Sequence, residues 1–155
     1  MNHLFLAVET SSTNCSVGLI KNDELIDSIE LNDGYSHGEK LAVFVESLLS
    51  KNNVNIEDLS AVAVGEGPGS YTGLRIGVSF VKGLAFSSKV KLISINSLQS
   101  MVMQVLSLLE DVSSGALFIG AIDARRDEVY LGIYNSKGSL VKEIQPMIIS
   151  EDSFS

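Results

Sequence analysis

The sequence predicts an α/β fold in which mixed sheets, with parallel strands joined by helical crossovers, build two lobes. Three observations predict it. The chain opens with three short strand-like segments; apolar runs then alternate twice with segments of helical period; and a second strand-rich stretch follows a break rich in Ser and Gly. The 155 residues and 16.6 kDa leave room for one domain or two small lobes. A content of 45% apolar and 19% charged residues with mean hydropathy +0.27 excludes bulk disorder.

Residues 4–8 read as a doubly buried strand, being a short apolar run stopped by the turn-rich Thr10-Ser11-Ser12-Thr13-Asn14. Residues 15–20 alternate apolar Cys15, Val17 and Leu19 with Ser16 and Gly18, and 24–31 complete an antiparallel meander. The period then changes. Leu41, Phe44, Val45, Leu48 and Leu49 form an amphipathic stripe over residues 36–50, with Ser36 and Glu39 as a capping box and Asn52-Asn53 at its end. Residues 61–64 read as a strand feeding a glycine-rich loop. Leu74, Val78, Val81 and Ala85 give the next helix, capped by Ser70. Residues 92–95 are strand, and Ser97 is expected to cap a third helix carrying Leu98, Met101, Val102, Val105 and Leu109. The composition shift at 111–115 divides the chain into a lobe over 1–112 and the start of a second over 113–155. Strands at 117–122, 128–134 and 140–145 make its meander, with a charged turn at 123–127. No helix follows Ile149 to cover that meander, so the second lobe is expected to be incomplete, its apolar residues covered by further sequence or by a partner.

Eleven Lys and Arg against nineteen Asp and Glu give a formal charge of -8, and no contiguous basic cluster offsets it. Arg125-Arg126 is followed at once by Asp127 and Glu128, so any role with nucleic acid is expected to be indirect. A single cysteine, Cys15, excludes an internal disulfide and argues for a reducing compartment, the cytoplasm. The run at 4–8 is too short for a membrane span and lacks the basic flank of a signal peptide.

Five glycines within residues 65–77 give the densest chemical signal. Gly67 and Gly69 ahead of Ser70 permit close backbone approach, and a helix start offers N–H groups that suit an anion. The segment is neither a P-loop nor a G-x-G-x-x-G fingerprint, because Walker lysine spacing is missing and Ser70 stands where the third glycine would be. The other reading is a tight turn in which Gly73 and Gly77 let the helix pack closely on a neighbour. Glu9, Thr10 and Ser11 at the end of the first strand suit either magnesium and phosphate or a polar hairpin. Asp123, Arg125 and Arg126 supply guanidinium forks between carboxylates, for an anion, a neighbouring chain or a solvated tip. His3, His37 and Cys15 are the only nitrogen or sulfur metal ligands of their types and share no helical face, so no metal site is expected.

Residues 6–11 (Leu-Ala-Val-Glu-Thr-Ser), 15–19 (Cys-Ser-Val-Gly-Leu), His37 with Glu39, 67–77 and 123–130 together resemble the TsaB (YeaZ) family, over about Leu4 to Tyr134. The resemblance implies the actin-like ATPase, ribonuclease-H-like fold. It further implies a non-catalytic paralogue of TsaD that acts in N6-threonylcarbamoyladenosine formation on tRNA. The implied partners are a TsaD-like paralogue and a TsaE-like ATPase, with a homodimer in isolation and tRNA contacted only indirectly. TsaD-like chains carry an H-x-x-x-H metal pair, whereas here His37 is followed four residues later by Leu41. Glu9 stands where actin-like kinases have aspartate, so no cofactor is expected beyond weak or complex-dependent ATP or ADP at a vestigial site of Glu9, Thr10, Ser11, Gly67, Gly69 and Ser70. The implied partner face comprises His37, Lys40, Tyr71, Gly73, Leu74, Gly77 and Val81, with Gly73 and Gly77 allowing close helix approach to a partner. Asp123, Arg125 and Arg126 are expected between lobes or against a partner. The competing functions are an actin-like ATPase, a glycoprotease or metalloprotease-like enzyme, and an unrelated homodimeric module.

Overall fold

A computed structural model describes residues 3–32, 37–150 and 153. Contacts divide the chain into two compact units, Met1–Glu66 with Ser70–Ile95, and Gly67–Gly69 with Asn96–Ser155.

The first unit is built on a five-stranded sheet in the order β3-β2-β1-β4-β5, formed by β1 (Leu4–Glu9), β2 (Cys15–Lys21), β3 (Glu24–Leu31), β4 (Ala61–Gly67) and β5 (Lys91–Asn96). The opening meander puts β1 antiparallel to β2, and β2 antiparallel to β3. After the crossover through α1 (His37–Lys51), β4 pairs parallel with β1. Leu6 sits opposite Leu19 on one side and Val62 on the other, and all three are fully buried.

Helix α1 covers this sheet because its stripe is apolar at helical spacing. Leu41, Val45, Leu48 and Leu49 are buried with Val17, Leu19 and Val62. The expected cap residue Ser36 and the side chain of His37 lie outside the described residues. Asn53, in the left-handed conformation at φ 54°, follows the helix end, and Asn52 returns its side-chain N–H to Leu48 O at 2.8 Å. Helix α2 (Tyr71–Ser88) starts as expected, the Ser70 hydroxyl accepting from Gly73 N at 3.3 Å.

Asp27 on β3 receives Lys51 Nζ at 2.8 Å and Asn52 Nδ2 at 3.0 Å. The Lys51 hydrogen bond, then that of Asn52, holds the Asp27 carboxyl below its usual value. A lowered folded pKa gives stability that is present above the unfolded value of about 3.9 and is lost as pH falls through the folded value. Urea melts should therefore show a gap between wild type and Asp27→Asn that is constant from pH 5 to 7 and closes below about pH 4. A gap independent of pH would show that the carboxylate charge is not its source.

The second unit holds an antiparallel sheet, β6-β7-β8, from β6 (Leu117–Arg125), β7 (Glu128–Asn135) and β8 (Leu140–Ile148). Helix α3 (Ser97–Leu108) packs on β6 and β7 through Leu98, Val102 and Tyr134. That packing groups α3 with the second sheet, so the units part after Ile95, whereas the composition shift suggested 112. The cap of α3 also differs from expectation: Asn96 Oδ1 accepts from Gln99 N at 3.0 Å, while Ser97 lies inside the helix and is buried. Asn can reach N3 from the residue before, and Ser97 faces inward. The same Asn96 oxygen receives the Tyr134 hydroxyl at 3.3 Å, and burial pushes that phenol's pKa up. The charged turn is shorter than expected because β6 continues to Arg125. Leu117, Ile119, Leu140, Val141 and Ile148 of this sheet are exposed.

Candidate functional site

At the carboxyl end of β1 the structure brings Glu9, Thr10, Ser11 and Ser70 together. Glu9 Oε1 accepts the backbone N–H of Thr10 at 2.8 Å and of Ser11 at 2.7 Å, so the carboxylate is folded back onto its own hairpin. Thr10 Oγ1 donates to Gly73 O at 2.9 Å, and Ser70 N donates to Ser11 O at 2.6 Å. Thr10 and Ser11 are buried, and the start of α2 is thereby tied to the end of β1. The backbone N–H groups of Thr10 and Ser11, which a phosphate could use, are already bound by a carboxylate of the same chain. A further constraint is Gly65, where an added Cβ would strike the Glu9 carboxylate. Gly67 at φ 101° and Gly69 flank Pro68 in the loop leading into Ser70, and the Gly67–Pro68 peptide is cis. Sequence reading counted Gly65 among the loop glycines without giving it this contact with Glu9, and it gave no site role to Asn14, whose buried Oδ1 has no hydrogen-bond partner among the described residues.

The expected partner face separates into two sets. Gly73, Gly77 and Val81 are buried and point into their own unit, not outward. A Cβ at Gly73 would meet Thr10 O, and one at Gly77 would meet Thr10 Oγ1. The small residues let α2 approach β1, so the expectation that they open the helix to a partner is corrected. Their four-residue spacing selects one face of the helix but does not say which neighbour that face meets. Lys40 and Tyr71 are exposed, Tyr71 by 75%, and Leu74 is half-buried. Arg75 lies over the Tyr71 ring, its guanidinium carbon 5.4 Å from the centroid. Sequence reading left out Phe86, which is 89% exposed near the end of the same helix.

In the second unit, Asp123, Arg125 and Arg126 stand at the β6–β7 hairpin and are all exposed. Arg125 N donates to Asp123 Oδ1 at 2.8 Å, and Arg125, Arg126 and Asp127 all have positive φ. Among the described residues no group of three or more His, Cys, Asp or Glu side chains could hold a metal ion.

A mixed sheet ordered 3-2-1-4-5, with its first three strands antiparallel and its fourth parallel to the first, defines an actin-like lobe of ribonuclease-H-like topology. The family model described as TsaD: tRNA N6-adenosine threonylcarbamoyltransferase matches residues 33–151. The tRNA threonylcarbamoyladenosine biosynthesis protein TsaB of Bacillus subtilis is 33% identical over 145 residues, covering 91% of this chain and 59% of that protein. The Escherichia coli protein of the same name is 32% identical over 130 residues, covering 83% of this chain and 54% of its own length. The structure of YeaZ from Pseudomonas aeruginosa superposes with a TM-score of 0.83 at 30% identity, covering 94% of this chain and 68% of that one. The chain belongs to the TsaB (YeaZ) family, within the wider family that the TsaD model describes. It spans between half and three-fifths of the length of these curated relatives.

Proposed function

We propose that this chain serves tRNA threonylcarbamoyladenosine formation as a non-catalytic scaffold subunit, pairing with a TsaD-like paralogue and a TsaE-like ATPase. The observation that carries the reading is Leu41. The position four residues after His37, where TsaD-like chains have their second metal histidine, holds a leucine that is 1% exposed and packed in the core with Val45 and Leu48. An imidazole there would be directed into the apolar core. The names of the relatives support the pathway, since each is called a tRNA threonylcarbamoyladenosine biosynthesis protein. The self-satisfied Glu9 hairpin supports a subunit that depends on its complex for any use of ATP or ADP. The acidic charge of -8 supports tRNA being held mainly by the partner. No helix among the described residues is long and apolar enough to cross a membrane, and the cytoplasm is the proposed setting.

The outward side of α1 and α2, with Lys40, Tyr71 and Leu74, is the proposed docking face. Light scattering on a size-exclusion column should show a one-to-one complex when the chain is mixed with the TsaD-like protein of its own organism. A chain that ignores that protein, with the TsaE-like ATPase and nucleotide supplied, would overturn the scaffold reading.

A further inference from the structure

The first unit carries a second concavity, at the end of its sheet away from Glu9. Leu4 lines it and begins β1, which Glu9 ends, so the two places stand roughly 16 Å apart along the strand. The cavity measures about 290 Å³, at the small end of the range for small-molecule sites. Its apolar wall is Leu4, Leu19, Ile26 and Val54. A β-bulge builds part of that wall. Between β2 and β3 the register passes from Leu19 opposite Asp27 to Ile20 opposite Leu25, which leaves Ile26 as the extra residue. A bulge re-aims a side chain: Ile26 joins the lining, while its neighbour Leu25 lies over Gly18 on the other face of the sheet.

Three polar side chains, Lys21, Asn52 and Asp58, complete the lining. Asn52 Nδ2 donates to Asp27 Oδ2 at 3.0 Å and to Leu48 O at 2.8 Å, so both amide hydrogens are used and Oδ1 remains to accept. Lys51 pairs with the same Asp27 at 2.8 Å, so those two charges answer each other. Asp58 spends one oxygen on Asn55 N at 2.8 Å, and no cation among the described residues pairs with it. Lys21 likewise forms no ion pair with a described residue, although Glu24 stands opposite it in the β2–β3 register. The cavity therefore offers one unanswered cation, one unanswered carboxylate and one neutral acceptor beside a branched apolar wall.

We infer that this cavity binds a free α-amino acid with a branched aliphatic side chain. The ligand's carboxylate meets Lys21, its ammonium meets Asp58 and Asn52 Oδ1, and its side chain lies on Leu19, Ile26 and Val54. An aliphatic carboxylate alone leaves Asp58 unanswered, and an aliphatic amine alone leaves Lys21 so; a zwitterion answers both. A residue inside a peptide has lost both backbone charges and fits less well. The cavity touches neither the Glu9 hairpin nor the proposed docking face, so the inference does not rest on the scaffold reading.

The test is titration of the chain with L-leucine, followed by calorimetry and by backbone amide NMR shifts. Wild type is expected to bind one leucine with a Kd of about 0.1–1 mM, shifting the amides of Lys21, Ile26 and Val54. Leucinamide, which lacks the carboxylate, 4-methylpentanoate, which lacks the ammonium, and glycine, which lacks the side chain, should each bind at least about tenfold more weakly. Lys21→Met should remove the preference for leucine over leucinamide and keep that over 4-methylpentanoate. Asp58→Asn, which retains an acceptor for Asn55 N, should do the reverse. No binding by wild type, shifts confined to other residues, equal binding of the three analogues, or folded variants with unchanged preferences would overturn the inference. The analogue series needs only wild type, so it decides the matter even where a variant fails to fold.

Discussion

Gly77→Leu is expected to destabilise the isolated chain by about 3–5 kcal/mol, although leucine is the better helix former by up to about 1 kcal/mol. The cost arises at Thr10. Its hydroxyl occupies the space a Cβ at Gly77 would need, it is fully buried, and it donates to Gly73 O at 2.9 Å. Leucine must either push α2 off β1 or turn the hydroxyl away, leaving a buried donor and acceptor unmatched. Against a total stability of about 5–15 kcal/mol for a domain, that is a large fraction. Gly83, on the same helix, is exposed with open space at its Cβ, so Gly83→Ala should be neutral to stabilising and isolates sterics from propensity. Urea denaturation of both variants checks the argument. A Gly77→Leu chain as stable as wild type would mean that the face of α2 bearing the glycines is not the one packed on β1.

Leu6→Ala should cost about 3–5 kcal/mol, the upper part of the range for buried leucines. Leu6 is on the central side of the sheet, between Leu19 and Val62, with no exposed atoms. Strands on both sides hold the backbone, so the cavity has little freedom to collapse. The exposed Leu25 on β3 is the contrast, and its truncation should fall within about 0.5 kcal/mol. Equal effects at the two positions would contradict the placement of the core.

The particular residues show what was legible in the sequence and what was not. The three-strand meander, the α1 stripe and the Ser70 cap were legible, because each is local: period, alternation and a hydroxyl before a helix. The direction of Gly73 and Gly77 was not, because a small-residue stripe serves a partner helix and the chain's own strand equally well. Only the tertiary position of Thr10, more than sixty residues away, separates the two. The cap of α3 went to Asn96 over Ser97 for a related reason. Both are good caps, and the inward turn of Ser97 depends on packing. The division of the units at Ile95 was equally hidden, since the Ser and Gly signal marks a loop and says nothing about which sheet α3 covers. At the candidate site, Glu9, Thr10 and Ser11 were found from their place at the end of the first strand, but their mutual hydrogen bonding, which occupies the hairpin's N–H groups, was visible only in three dimensions.

The central claim is that this chain acts in tRNA threonylcarbamoyladenosine formation without carrying the chemistry itself. The direct test is mass spectrometry of the nucleosides of total tRNA after depletion of the protein, with add-back of wild type and of Glu9→Gln. The account predicts that depletion lowers the threonylcarbamoyl nucleoside, and that wild type and Glu9→Gln, which keeps the side chain's acceptor oxygen, both restore it. An unchanged nucleoside level on depletion would contradict the role, and failure of Glu9→Gln alone, with the variant folded, would contradict its non-catalytic character.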